Sequence, residues 1–292
     1  MKLDPRFRFD SFVVGSSNRL AVAAAKAVAD APGVLYNPLF VYGASGLGKT
    51  HLLHAVGHAA RERRPTLAVE YVALDTYMDE LHHALQAGRL EPFKQRYEAC
   101  GFLLLDDIQF LTGRAEVQGE LLRLFTQLQA RGTQIVLASD RAPDEIADVA
   151  DRLLAKLAGG LTVDVGTPDY ETRIAILQKL SREREARFRD GVLEELARID
   201  FSNIRELQGG LNRLIAHQGL SDGEVTARDV RALVAPGSTP LPAAPRGGAG
   251  DFAAYVREVS TAVAETVPAW KQRLGEVAAK WRAEGVQVAV LE

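Results

Sequence analysis

The sequence predicts an α/β fold, a doubly wound parallel sheet built around a phosphate-binding loop and followed by a smaller all-helical lid. Three observations carry this prediction. Short apolar runs alternate with segments of helical spacing from about residue 39 to residue 165, the pattern of successive βαβ units. One of these runs, Leu39-Phe40-Val41-Tyr42, leads directly into Gly43-Ala44-Ser45-Gly46-Leu47-Gly48-Lys49-Thr50. Another, Gly101-Phe102-Leu103-Leu104-Leu105, is apolar throughout and ends in Asp106-Asp107, as expected of a parallel strand buried on both faces. After Pro168 the apolar residues recur only at helical spacing.

Composition sets the outer bounds. At 292 residues and 47% hydrophobic, the chain has room for one large core and a smaller one. No apolar run approaches the roughly 20 residues of a membrane span. The start, Met1-Lys2-Leu3-Asp4-Pro5-Arg6, is charged and has no apolar stretch behind it, so no secretory signal is visible. One cysteine, Cys100, excludes an internal disulfide and a cysteine-based metal cluster. The expected compartment is cytoplasmic, without a membrane partner. With a net charge of −3, any nucleic-acid contact requires a local basic patch.

Taken in order, residues 1–20 hold Phe7, Phe9, Phe12, Val13 and Val14 before Gly15-Ser16-Ser17-Asn18. This run either packs on the core or lines a base pocket in front of the phosphate loop. An Ala-rich helix spans about Ser17 to Asp30 and stops at Pro32-Gly33. The first strand is 39–42, and the phosphate loop and its helix reach about Arg63. A second strand is expected over Leu67–Val72, and residues 75–99 form two helical stripes separated by Gly88. Then come the acidic-ended strand, a helix over about 116–130 and the strand Gln134–Ser139, with Asp140 at its end. A helix near Pro143, another over 151–157 and the strand Leu161–Val165 complete the alternation. Residues 1–167 are thus expected to form the nucleotide-binding domain and 168–235 a helical lid. A Pro- and Gly-rich linker is expected over 236–251, and 252–292 form an amphipathic helical segment.

The loop matches G-x-x-x-x-G-K-[ST]. Its glycines (Gly43, Gly46, Gly48) let backbone N–H groups turn around phosphate oxygens, with Leu47 between them. Lys49 reaches the β/γ-phosphates, the Thr50 hydroxyl holds Mg²⁺, and His51 continues into the helix whose N-terminus faces the anion. ATP or ADP with Mg²⁺ is the expected ligand. Asp106 and Asp107 stand where a cation ligand and a water-polarising carboxylate belong in a nucleotide hydrolase. His51, His54, His82 and His83 divide between the loop helix and the 75–99 segment, which argues against a shared metal site.

With these residues in view, the chain resembles the AAA+ domain of the bacterial replication-initiator DnaA family from about Phe7 to His217. The segments FDSFVVGSSNRLA, YNPLFVYGASGLGKTHLLHAVGH, LLLDDIQFL, IVLASDR, ETRIAIL and SNIRELQGGLNRL carry the likeness. It implies that the helices at 75–99 are the family's initiator-specific insert. It also implies that Phe12, Val14 and Asn18 contact or shape the adenine pocket. Asp106 would hold Mg²⁺ through water and Asp107 would polarise the attacking water. Asp140 would occupy the first sensor position, Arg205 the second, and Arg152 the neighbourhood of a subunit interface.

Three departures from the family pattern qualify these roles. The arginine that acts across the interface in the family is matched by Lys156, a point charge in place of a planar fork. The single-strand DNA loop reads Arg114-Ala115-Glu116-Val117, with an acid and an apolar residue where a base and a hydroxyl are expected. Nothing after 236 resembles the family's duplex-reading domain. Two functions follow from the resemblance. One is an assembly factor of replication initiation with slow ATP hydrolysis, forming homo-oligomers or engaging other replication proteins, and binding DNA weakly and non-specifically at most. The other is a regulatory paralogue similar to Hda, working through protein partners without direct origin binding. A metabolic phosphate-loop enzyme fits poorly, because no substrate constellation accompanies the nucleotide site.

Overall fold

Strand residues that alternate between two apolar layers set the architecture. Strands β1 (Leu39–Tyr42), β2 (Val69–Ala73), β3 (Phe102–Asp106), β4 (Gln134–Ser139) and β5 (Leu161–Asp164) form one sheet in the order β2-β3-β4-β1-β5. All its pairings are parallel, with Val41 opposite both Ala138 and Val163, and Leu104 opposite Val136. Leu39, Val41, Leu104, Val136 and Val163 face one core. Phe40, Leu103, Leu105, Ile135 and Leu137 face the other, because successive side chains leave a strand on opposite sides. Each fully buried leucine of β3 contributes about 1.5–3 kcal/mol relative to exposure. The computed structural model describes residues 3–220 and 224–234, all within one compact unit, Met1–Ser238. The linker and amphipathic segment expected over 236–292 lie outside the described residues.

Helices cover both faces. On the first side lie α1 (Arg19–Asp30) and α2 (Lys49–Arg63), with their alanines and valines against the sheet. On the second lie α3 (Leu74–Gln86), α4 (Leu90–Glu98), α5 (Ala115–Ala130) and α6 (Asp151–Leu157). Gly88, at φ 64°, makes the break between α3 and α4. The helices α7 (Tyr170–Glu183), α8 (Val192–Arg198), α9 (Ile204–Leu220) and α10 (Val230–Val234) gather round a third core that includes Leu177, Leu196, Leu211 and Val230.

Three elements differ from the sequence expectation. β2 begins at Val69, because Leu67 N–H closes a turn on Arg64 O at 2.9 Å as the chain leaves α2. The helix expected near Pro143 is a single 3₁₀ turn, Pro143–Glu145. The last helix, expected over Val225–Val234, starts at Val230, because Thr226 donates from N and Oγ1 to Asp229 Oδ2 at 2.9 and 2.7 Å and holds the preceding residues in a turn.

Candidate nucleotide-binding site

The loop begins where the sheet stops. Gly43 N–H donates to Ser139 O at 3.3 Å, so it crosses the carboxyl ends of β1 and β4, the usual place for ligands in such sheets. Besides Gly43 (φ 150°), two further glycines of the loop are conformationally required. Gly46 has φ 81° and passes against Asn203; Gly48 has φ 100°, precedes α2 and passes under the Phe12 ring. No side chain caps α2 at Gly48, which leaves its first-turn N–H groups directed at the loop. Leu47 instead points down into the core, 2% exposed.

Lys49 is buried, and its Nζ donates to the carbonyls of Gly43 at 2.6 Å and Ala44 at 2.9 Å. Burial pulls its pKa down, against the charges of Asp106, Asp107 and Asp140. The Thr50 hydroxyl donates to Asp106 Oδ2 at 2.6 Å, and the Tyr71 hydroxyl reaches the same oxygen at 3.3 Å. Asp106 Oδ1 accepts from Asp107 N–H at 2.9 Å. Asp106 is 1% exposed, and burial pushes its pKa up despite the Thr50 bond. A hydroxyl and a carboxylate side by side, with the acid desolvated, fit a hard divalent cation that takes oxygen ligands.

Asp107 adopts the left-handed conformation, φ 59°, which Asp tolerates better than most residues. Its Oδ1 accepts from Gln109 Nε2 at 2.9 Å, and Gln109 Oε1 accepts from Asp140 N–H at 3.1 Å. The Asp140 carboxylate itself turns to Arg141, at 2.7 and 3.0 Å, and that guanidinium lowers its pKa. From the helical region Arg205 Nη1 donates to Ser45 Oγ at 3.0 Å, and Ile204 N–H to Gly46 O at 3.2 Å. Thus Lys49, Thr50, Asp106, Asp107, Asp140 and Arg205 all lie around the loop.

The remaining residues are placed differently. The Phe12 ring lies edge-on to His51, 5.1 Å between centroids. Asn18 spends its amide inward, accepting from Gly15 N–H at 2.9 Å and donating to Val13 O at 3.0 Å, while Val14 is exposed. The His51 imidazole turns from the loop to Arg8 O, at 2.9 Å, so only its backbone faces the phosphate end. Lys156 Nζ donates to Gln129 Oε1 at 2.8 Å, beside Arg152. Gln129 in turn donates to Asn37 O at 3.3 Å, just ahead of β1. Lys156 therefore sits at the end of the sheet opposite the phosphate loop. Sequence reasoning missed Gln109 and Tyr71. Only their spacing from the acid pair and the strand alternation could have pointed to them.

The family description "Bacterial DnaA ATPAse domain" matches residues 3–164. The chain belongs to this family. Across 232 residues it is 49% identical to the chromosomal replication initiator protein DnaA of Thermomicrobium roseum, covering 79% of this chain and 50% of that protein. It spans about half the length of the curated DnaA relatives it matches. Among solved structures, domain III of the Thermotoga maritima replication initiation protein DnaA superposes with a TM-score of 0.76 and 36% identity, covering 81% of this chain and 100% of that one. A replication initiator DnaA bound to AMPPCP and single-stranded DNA gives a TM-score of 0.69 and 35% identity, over 75% of this chain and 68% of that one. The five-stranded parallel sheet with its helical cluster is thus the AAA+ fold of DnaA domain III. No helix among the described residues is long and apolar enough to cross a membrane.

Proposed function

We propose that the chain is a nucleotide-dependent module of DNA replication initiation, which binds ATP and ADP with Mg²⁺, hydrolyses ATP slowly and assembles or regulates partners according to the nucleotide held. The observation that carries this reading is the convergence of Lys49, Thr50 and Asp106 on one loop, in a family with a solved relative bound to AMPPCP. Lys49 exchanges the Gly43 and Ala44 carbonyls for phosphate oxygens. Thr50, and Asp106 through water, would hold Mg²⁺, which when bound would supply positive charge against the phosphates. Asp107 orients and polarises the attacking water, while Asp140 and Arg205 sense the γ-phosphate. Phe12, Val14 and Asn18 shape the base pocket. Lys156 would serve a neighbouring copy, where a single hydrated ammonium supplies less stabilisation than an arginine fork.

Calorimetric titration with ATP and ADP, with and without Mg²⁺, tests this reading. Wild type is expected to bind both nucleotides; Lys49→Ala is expected to lose binding, and Asp106→Asn to lose the Mg²⁺ dependence. Equal affinities in all three proteins would overturn the assignment. A second reading, a regulator similar to Hda that works through protein partners, is favoured by Glu116, an exposed acid in the first turn of α5. It repels a nucleic-acid backbone, so DNA contact is weak and non-specific at most. Glu116→Arg combined with Val117→Thr is expected to raise single-strand affinity in fluorescence anisotropy.

A further inference from the structure

Gln109 is held by its own turn with little freedom. Ile108 and Leu111, the two ends of the 3₁₀ turn Ile108–Leu111, are both 0% exposed while Phe110 faces out at 49%, so the turn is anchored in the core at each end. The half-buried carboxamide is used at both ends. Nε2 donates to Asp107 Oδ1 at 2.9 Å, and Oε1 accepts from Asp140 N–H at 3.1 Å. Its orientation is unambiguous, because a carboxylate only accepts and a backbone N–H only donates. One side chain therefore ties the end of β3 to the end of β4 and takes up one oxygen of a carboxylate whose backbone is left-handed.

We propose that Gln109 is a positioning residue, which fixes the Asp107 carboxylate for water attack and locks it in register with the Asp140 segment. This rests on the reading of Asp107 as the water-polarising group. With Oδ1 engaged by Gln109, Oδ2 is the oxygen left to meet the water. Asp107 would otherwise swing about its side-chain torsions, and displacements of about 1 Å can cost on the order of 10²-fold in rate. Both ends of the amide are taken up by Asp107 Oδ1 and Asp140 N–H. It acts on binding little and on turnover through Asp107.

A double-mutant cycle on the whole chain tests the proposal, with nucleotide Kd by calorimetry and kcat by phosphate release. Gln109→Met, similar in length but without either bond, is expected to lower kcat roughly tenfold while the Kd for ATP stays within about twofold. Gln109→Glu keeps the acceptor for Asp140 N–H but sets a carboxylate against Asp107, and is expected to be at least as slow. In the Asp107→Asn background Gln109→Met is expected to cost nothing further, because the group it positions is gone. Wild-type turnover in Gln109→Met beside a slow Asp107→Asn would overturn the Gln109 proposal alone. Additive losses, or loss of nucleotide binding or of the folded state in both Gln109 variants, would reduce the residue to a structural prop and overturn it as well. Wild-type turnover in Asp107→Asn would remove the reading of Asp107, and the Gln109 proposal with it.

Discussion

Arg205 and Ser45 meet at 3.0 Å although 160 positions separate them, so the guanidinium of a lid helix already rests on the phosphate loop. Both side chains are exposed or nearly so, and such a bond contributes about 0.5–1 kcal/mol at most. Arg205→Ala is therefore expected to leave Tm within about 3 °C of wild type. If Arg205 senses the γ-phosphate as proposed, the substitution is expected to narrow the preference for ATP over ADP roughly tenfold, because a charged bond would be lost. Paired calorimetric titrations check both numbers.

The N-terminal segment is fastened by a histidine stripe on α2. His54 Nδ1 accepts from Asp4 N–H at 3.0 Å, and His58 Nε2 donates to Asp4 O at 2.8 Å. Burial pulls the His54 pKa down to about 4, against an ordinary value near 6.5. A base whose folded pKa lies below its unfolded value contributes full stability above the unfolded pKa. That contribution is lost as pH falls toward the folded pKa. Stability is expected to be flat above about pH 6.5 and to fall by about 2 kcal/mol on reaching pH 5. His54→Gln is expected to flatten the slope in urea melts taken at both pH values.

Gly15 and Thr172 lock the N-terminal segment to α7. A Cβ on Gly15 would lie 2.0 Å from Thr172 Oγ1, and Thr172 is itself buried with its N–H on Asp169 Oδ1 at 2.8 Å. Gly15→Ala is expected to cost about 1–3 kcal/mol through overpacking. Thr172→Ala in the same chain is expected to restore part of it, since the hydroxyl is the nearest clash. Thermal melts of the single and double variants read this directly.

Lys156 is expected to limit any concentration-dependent hydrolysis. Lys156→Arg is expected to raise turnover at high protein concentration severalfold and leave it unchanged when dilute. Arginine fingers contribute about 10³–10⁵ in related phosphoryl-transfer systems. Wild-type behaviour of both Lys156→Arg and Lys156→Ala at high concentration would show that nothing docks there.

The strand, loop and helix over Leu39–Arg63 are legible in sequence because their signals are local. Apolar run, glycine spacing and helical spacing follow one another without a gap. The same holds for β3, whose apolar run stops at its acids. What is hidden depends on single torsions or on distant partners. Gln109 reaches Asp140 only because Asp107 turns left-handed. The direction of the His51 ring is set by Arg8, 43 positions earlier. The helix expected near Pro143 fails for a similar reason. Its helix-favouring start runs out at Ile146, which leaves the turn in an extended conformation and is buried. No periodicity in so short a stretch records that.

All strands of the sheet run the same way, which gives the body a head and a tail. The loop crowns one end, and Lys156 sits at the other, tethered to Gln129. A copy stacked head to tail on its neighbour, offering Lys156 to that neighbour's loop, would take a lysine at its own loop from a third copy. Such a contact would repeat by the same displacement each time, as a ring if the rotation closes and a helical filament if it does not. A filament of this kind has two chemically distinct tips, one with a bare loop and one with a bare lysine. A ligand that blocks either tip would stop growth from that side alone.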